Sequence, residues 1–230
     1  MKDGKQLIEK VRAVLEPHGL FLRGTVNMEP AEAGPDLADG QPCRSVVLIG
    51  NVGSSIWPAF QSWRKQSPRT DHPLDDWTKA VVRPVAAAFQ ATPFFPSDPP
   101  WQPFQQWAMR AEGLKSSPLG ILIHPQFGLW HGYRAALAFD CPMPQTGSEP
   151  AAHPCDTCLD KPCLSNCPVD AVAPEHFDVS ACRTHLATPE GEGGCMAAGC
   201  LARGACPVGA SYRYQHEQLQ FHMAALWRPL

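Results

Sequence analysis

Eight of the chain's ten cysteines fall between Cys155 and Cys206. The first group reads C-x2-C-x4-C-x3-C-P, through Cys155, Cys158, Cys163 and Cys167. The second reads Cys182, then C-x4-C-x5-C-P through Cys195, Cys200 and Cys206. Thiolates two residues apart reach one metal centre from a single tight loop, whose N–H groups then point at sulfur. A C-x2-C-x2-C-x3-C-P run does this for iron–sulfur cubanes, and its fourth cysteine crosses to the other cluster in two-cluster ferredoxins. Here two extra residues precede Cys163. Eight thiols are what two [4Fe–4S] clusters require, and the near-identical words CPVDA (167–171) and CPVGA (206–210) close the two groups. Two zinc sites are the alternative, but structural zinc takes cysteines as close pairs, and only Cys155/Cys158 has that spacing. Disulfides are the third reading. The crossing pattern predicts Cys155, Cys158, Cys163 and Cys206 for one cluster and Cys167, Cys182, Cys195 and Cys200 for the other. Cys43 and Cys141 lie outside this array and are expected to be small buried apolar side chains.

The rest of the chain must position this array. A net charge of −3 carries no basic excess, which argues against nucleic acid or an anionic membrane surface as partner. No apolar run reaches the roughly 18 residues of a membrane span. The opening stretch MKDGKQLIEKVRAVLE lacks the apolar core and cleavage site of a signal peptide. A reducing cytoplasm is therefore expected, where clustered cysteines favour metals over disulfides. The 25 prolines, about twice the usual share of ~5%, predict many loops and short elements.

Leu7, Ile8, Val11, Val14 and Leu15 recur at helical spacing until Pro17-His18-Gly19. FLRGTV (21–26) and SVVLIG (45–50) read as strands, residues 27–44 as a loop, and 56–66 and 74–91 as helices with a kink or break at Pro84. GNVGSS (50–55) reads either as a plain turn or as a backbone cradle for a nucleotide phosphate. ATPFFPSDPPWQPF (91–104) reads as an irregular loop and QQWAMRAEG (105–113) as a helix. GILIH (120–124) and GYRAALAF (132–139) read as strands buried on both faces, joined by PQFGLWH. The expected domains are 1–141, an α/β cofactor-binding domain; 142–154, a linker; 155–211, the cysteine module; and 212–230, a closing helix.

The phrase "EGLKSSPLGILIHPQFGLWHGYRA", followed by this cysteine array, resembles epoxyqueuosine reductase, which carries a cobalamin domain and then two [4Fe–4S] clusters. "IHPQFGLWHGYRAAL" is also similar to the cobalamin-processing chaperones, which share the cobalamin domain without the clusters. The resemblance covers roughly residues 75–211. It implies an α+β chain: a nitroreductase-like α/β core domain with a C-terminal two-[4Fe–4S] ferredoxin-like module. It also implies a corrinoid over the sheet near His124, Pro125, Gln126, Phe127 and Gly128. Phe127, Trp130 and Tyr133 would wall the macrocycle, while His131 and Arg134 would meet its amides or phosphate. These residues read equally well as core and rim, and His124 as a hydrogen-bonded strand end rather than a cobalt ligand. Two departures stand out. The stretch matching the family's proton donor, "PPWQPFQQW", holds no acid, and only Asp98 is nearby. The family's tRNA-binding helical repeat has no counterpart after the cysteines.

The expected function is an iron–sulfur oxidoreductase. It would pass single electrons from an external donor (a flavodoxin, ferredoxin or reductase) through two clusters to cobalamin, for reduction of a small-molecule substrate or of the corrinoid itself. The alternatives are a ferredoxin-type carrier without corrinoid, and a flavin (FMN) enzyme with the same clusters.

Overall fold

In α1 (Gly4–Leu15) the buried residues are Leu7, Ile8, Val11 and Leu15, one stripe of a helix laid on a sheet. The chain continues through β1 (Phe21–Asn27), β2 (Ser45–Val52), α2 (Trp57–Gln66), α3 (Pro73–Phe89), β3 (Thr92–Phe94), α4 (Phe104–Glu112), β4 (Lys115–Ser116), β5 (Leu122–Ile123) and β6 (His131–Phe139). After these come α5 (Pro162–Ser165), β7 (Val172–Ala173), β8 (His176–Phe177), α6 (Val179–Leu186), α7 (Pro189–Gly191), α8 (Leu201–Ala205) and α9 (His216–Trp227). The structure is a computed structural model and describes residues 4–29, 31–32, 34–67, 69–145 and 152–227. Of the expected linker, residues 146–151 lie outside the described residues. The chain is mixed α/β and divides into two units, Met1–Gly113 with Gly132–Pro150, and Leu114–His131 with Ala151–Leu230.

The first unit is built on a sheet of order β1-β2-β6-β3. β1 and β2 pair antiparallel, as do β3 and β6. Seven successive residues of β2 are buried, which requires cover on both faces. α1 packs on β1 and α3, and α2 on α3, where Phe60 meets Trp77 edge-on with centroids 6.0 Å apart. Pro84 does not break α3, which runs unbroken to Phe89. Leu74, Trp77, Val82 and Val85 anchor its inner face, while Pro84 and the Ala80 carbonyl it cannot serve lie on the exposed side. β3 lies inside the stretch expected to be irregular. Pro93 suits it because β3 is an edge strand, where a missing N–H breaks no inner ladder.

The second unit is made of short pieces. GILIH and GYRAALAF do not form a strand pair. β5 is two residues long and pairs with β4, whereas β6 belongs to the main sheet. The reason is local. His124 Nδ1 accepts the N–H groups of Gln126 (3.0 Å) and Phe127 (3.2 Å), and a bridge from His124 to Gly128 closes the turn. That ends the strand. α6 starts at Asp178, whose carboxylate accepts the Ala181 N–H at 2.9 Å, and α9 packs on α6 and on the π-helical turn Glu192–Met196.

Candidate metal centre

The two Cys-Pro words share a backbone feature but not their sulfur contacts. In the first, the Ala171 N–H donates to Cys167 Sγ at 3.3 Å; in the second, the nearer Val208 N–H is the one that lowers the Cys206 thiol. The fourth residue of each word is left-handed, Asp170 at φ 50° and Gly209 at φ 68°. Only glycine takes that conformation freely, with Asp and Asn next best. This explains why Asp and Gly alternate at that one position.

The eight thiols ring two cavities, four to each. Cys155, Cys158, Cys163 and Cys206 line the first, with Pro118, Ile123 and Val208. Cys167, Cys182, Cys195 and Cys200 line the second, with Val172, Phe177 and Met223. The thiols fill positions that apolar side chains would take in an ordinary core. Leu119, Ile123, Leu129, Val172 and Ala202 pack with Cys155, Cys163, Cys167, Cys200 and Cys206. Leu186, Cys195 and Met223 pack with Cys182 and Cys200. Among the described residues no three His, Cys, Asp or Glu side chains converge closely enough to hold a single metal ion.

Electrostatics sort the thiols in the same way. Burial, then the facing Cys206, Cys163 and Cys158, push the Cys155 thiol up to about 11, against a pull from Lys161. Burial, then Cys200, Cys167 and Cys195, push Cys182 up to about 11, against a pull from Arg183. Burial also raises Cys163, Cys200 and Cys206, opposed by backbone N–H groups that point at their sulfurs. Cys155, Cys163, Cys182, Cys200 and Cys206 therefore hold their protons more tightly than a free thiol, and a cationic centre would have to displace them. Cys43 is buried, its thiol raised by burial, and Cys141 is half-buried.

The residues expected around a macrocycle fall in different places. Seven belong to the second unit, where most are engaged with its own residues; Gln126 Nε2 donates to the Tyr212 hydroxyl at 3.0 Å. His124 stacks on Phe127 at 4.2 Å, and Phe127 meets Tyr212 edge-on at 5.0 Å. His131 Nε2 lies 3.1 Å from the Leu122 carbonyl. Gly128 has φ 58°, and a Cβ there would sit 1.9 Å from the Val208 carbonyl, so the loop lies directly on the second Cys-Pro word. Trp130 is 1% exposed and packs against Tyr214 at 5.4 Å and under the Arg203 guanidinium at 4.5 Å. Pro125 is exposed at the turn. Arg134 lies in the first unit, 3.6 Å from Asp75. The segment 124–131 thus braces the cysteine rings.

The first unit holds a buried polar node that sequence reading missed. Arg23 is the extra residue of a β-bulge between Leu22 and Gly24, and the bulge turns its side chain inward. Its guanidinium makes a two-pronged pair with Glu112, at 3.0 and 3.1 Å, and donates to the Asn51 carbonyl at 3.2 Å. The Tyr133 hydroxyl donates to the same carboxylate. α4 can bring Glu112 this close because Gly24 has no Cβ, which would otherwise sit 2.7 Å from Ala111 Cβ. Burial raises the Glu112 carboxyl overall, although Arg23 and Tyr133 pull it down. The same burial, and the Glu112 charge, push the Tyr133 hydroxyl far up. Asp98 pairs with Lys79 at 2.5 Å and lies 3.9 Å from Arg83. The GNVGSS turn uses its own N–H groups: Val52 donates to Ser55 Oγ, Ser55 to the Val52 carbonyl and Trp57 to the Ser54 carbonyl. Those donors are therefore not available to a phosphate.

No protein-family model and no curated protein matches the chain. Solved structures do. An epoxyqueuosine reductase with an epoxyqueuosine-modified tRNA-Tyr stem loop aligns at TM-score 0.56 and 14% identity, over 92% of this chain and 66% of that one. A Bacillus subtilis epoxyqueuosine reductase, its catalytic loop swung out of the active site, aligns at 0.56 and 13%, over 93% of this chain and 68% of that one. A B12-trafficking protein of C. elegans, CblC, described as a human MMACHC homologue, aligns at 0.51 and 12%, over 98% of this chain and 93% of that one. The chain spans about two thirds of the length of the reductases. At these identities the common property is the fold, and this chain has the α/β fold of epoxyqueuosine reductase and of CblC.

Proposed function

We propose that the chain is an iron–sulfur redox protein whose two cysteine rings each hold a [4Fe–4S] cluster. It would move single electrons from an external donor to a cofactor in the first unit, cobalamin, for reduction of a small substrate or of the corrinoid. The observation that carries this reading is the sorting of eight thiols into two rings of four. A tetrahedral zinc ion, with Zn–S near 2.3 Å, draws its four sulfurs to within about 4 Å of one another. Thiols spread round a cavity suit a polynuclear centre better, and the N–H groups aimed at Cys167, Cys200 and Cys206 suit thiolates that carry charge.

Such a centre supplies one-electron transfer when bound. The chain's own residues supply the rest. Cys155, Cys158, Cys163 and Cys206 would hold one cluster, and Cys167, Cys182, Cys195 and Cys200 the other. Val172, Phe177, Ile123 and Val208 keep water from the rings. Support for cobalamin comes from the fold shared with CblC and the epoxyqueuosine reductases. Trp130 is buried and His124 and Phe127 stack on each other, so no step is assigned to them. Asp98, held by Lys79 and Arg83, is the acid closest in sequence to the stretch where a proton donor was expected.

The test is purification without oxygen, an iron and sulfide assay, and separate titrations with cob(II)alamin and FMN. About eight irons per chain and a corrinoid spectral change are expected. Colourless protein carrying zinc would end the iron–sulfur reading. Full iron with no response to cobalamin would leave an FMN enzyme, if FMN binds, or a simple carrier.

A further inference from the structure

Between Cys158 and Cys163 the chain carries four residues, Leu159-Asp160-Lys161-Pro162, where the cubane-binding run carries two. Holding a cluster does not call for the extra pair. Leu159, Asp160 and Lys161 stand in solvent, as do Asp156 and Thr157 on the other side of Cys158. Leu159 is 96% exposed, the most of any large apolar side chain among the described residues; Trp101 follows at 76%. Lys161 is held left-handed at φ 39°, a conformation that residues other than glycine adopt at a cost. Single exposed leucines are ordinary on a protein surface. This one differs in its place, bonded directly to a ring cysteine.

Cys158, Lys161 and Pro162 line the cavity of the first ring, and Leu159 does not. A single layer of chain, 156–162, thus lies between that cavity and solvent. The second ring is covered differently. Its exposed apolar side chains, Val169 and Leu201, line the cavity themselves and so act as its cover. Leu159 covers nothing and points to something outside the chain. The charges beside it say what kind. Through residues 152–178 the exposed acids are Asp156, Asp160, Asp170 and Glu175, and the one exposed Lys or Arg is Lys161. An apolar knob with carboxylates beside it suits a contact face that has an apolar centre and a basic rim.

We propose that the loop 156–161 is the docking point of the external electron donor, and that the donor is a one-electron carrier protein whose lysine- or arginine-rimmed face receives Leu159 at its apolar centre. The donor gives up one electron and the cluster at Cys155, Cys158, Cys163 and Cys206 takes it, with no bond made or broken. This rests on the two-cluster reading. It adds a point of entry and the chemistry of the partner, and it gives the two extra residues of the cysteine run a purpose.

The test is stopped-flow electron transfer with the whole iron-loaded chain. The chain is reduced with dithionite and mixed either with a lysine-rimmed c-type cytochrome or with duroquinone, a small uncharged acceptor that needs no docking face. The cytochrome reads docking, whichever way the electron travels. Leu159→Ala and Leu159→Gln should each slow the cytochrome reaction about tenfold, as loss of one anchor does. The duroquinone rate and the iron content should stay at wild-type level. Added salt should slow the wild-type cytochrome reaction, and Asp156→Asn with Asp160→Asn should flatten that dependence. An unchanged cytochrome rate in both Leu159 variants, equal slowing with duroquinone, or a wild-type reaction indifferent to salt overturns the proposal. So does loss of iron in both Leu159 variants, which would make the side chain a structural one. Wild-type chain without iron is a different failure, that of the iron–sulfur reading itself.

Discussion

The two units are held together by different means. In the first, Val46, Val47, Leu48 and Ile49 are wholly buried in β2, and Phe60, Trp77 and Leu15 close over the sheet. Each such side chain contributes about 1.5–3 kcal/mol on burial. The second unit has helices of three to twelve residues, two-residue strands, and small clusters in which thiols fill core positions. A thiol brings little apolar surface. A region built this way relies on whatever its sulfurs hold, as small metal-binding domains do. The first unit should be stable on its own core, and the second on its metal.

The strongest way to break this contrast is to remove the iron. Anaerobic chelation should abolish slow hydrogen exchange in peptides covering 155–227 and leave it intact in β2 and α3. Equal protection in both regions after chelation would show that the second unit folds without metal. The next largest effect sharpens the contrast within that unit. Cys206→Ala and Cys182→Ala should each lose roughly half the iron, four atoms of about eight, and should lose different paramagnetic signals. Loss of the same signal in both would mean that the rings are assigned wrongly.

Glu112→Ala tests the first unit alone. Removing one partner of a buried pair leaves Arg23 uncompensated, at a cost of about 3–5 kcal/mol, and iron content should not change. The pH response follows from the raised carboxyl of Glu112. Folding disfavours its ionised form relative to the unfolded chain. The stability it contributes is therefore fully present below the ordinary value of 4.5 and is lost as pH rises through the raised folded value. Denaturant titrations of the first unit at stepped pH should show that decline, and a rise with pH would reverse the assignment. The smallest effect returns to the second unit. Asp178→Ala removes the cap of α6 and should lower stability by about 1 kcal/mol. A change several times larger would mean that Asp178 also supports the ring at Cys182.

What could be read from sequence depended on how local its cause was. The helical stripe of α1, the strands β1 and β2 and the Cys-Pro words are written in neighbouring residues, and the structure has them. β3 was hidden because a Pro-rich stretch mimics a loop and only its edge position makes it a strand. The pair of Arg23 and Glu112 joins residues far apart in the chain, and no periodicity announces a bulge that turns an arginine inward. In sequence the brace at 124–131 resembles part of the sheet domain, because its apolar run looks like a buried strand. His124, by capturing two N–H groups, turns it into a loop of the cysteine unit.

The twin Cys-Pro words differ in one residue, and that difference makes them interchangeable in one direction only. Asp170 is exposed, so glycine in its place meets no obstacle. At Gly209 a Cβ would sit 2.3 Å from the Phe127 carbonyl carbon, so Gly209→Asp must push the 124–131 loop away. The first copy can exchange among glycine, Asp and Asn, which tolerate its left-handed backbone, while the second is locked by its neighbour. A library randomised at both positions should accept mainly Gly, Asn and Asp at 170 and almost none but glycine at 209.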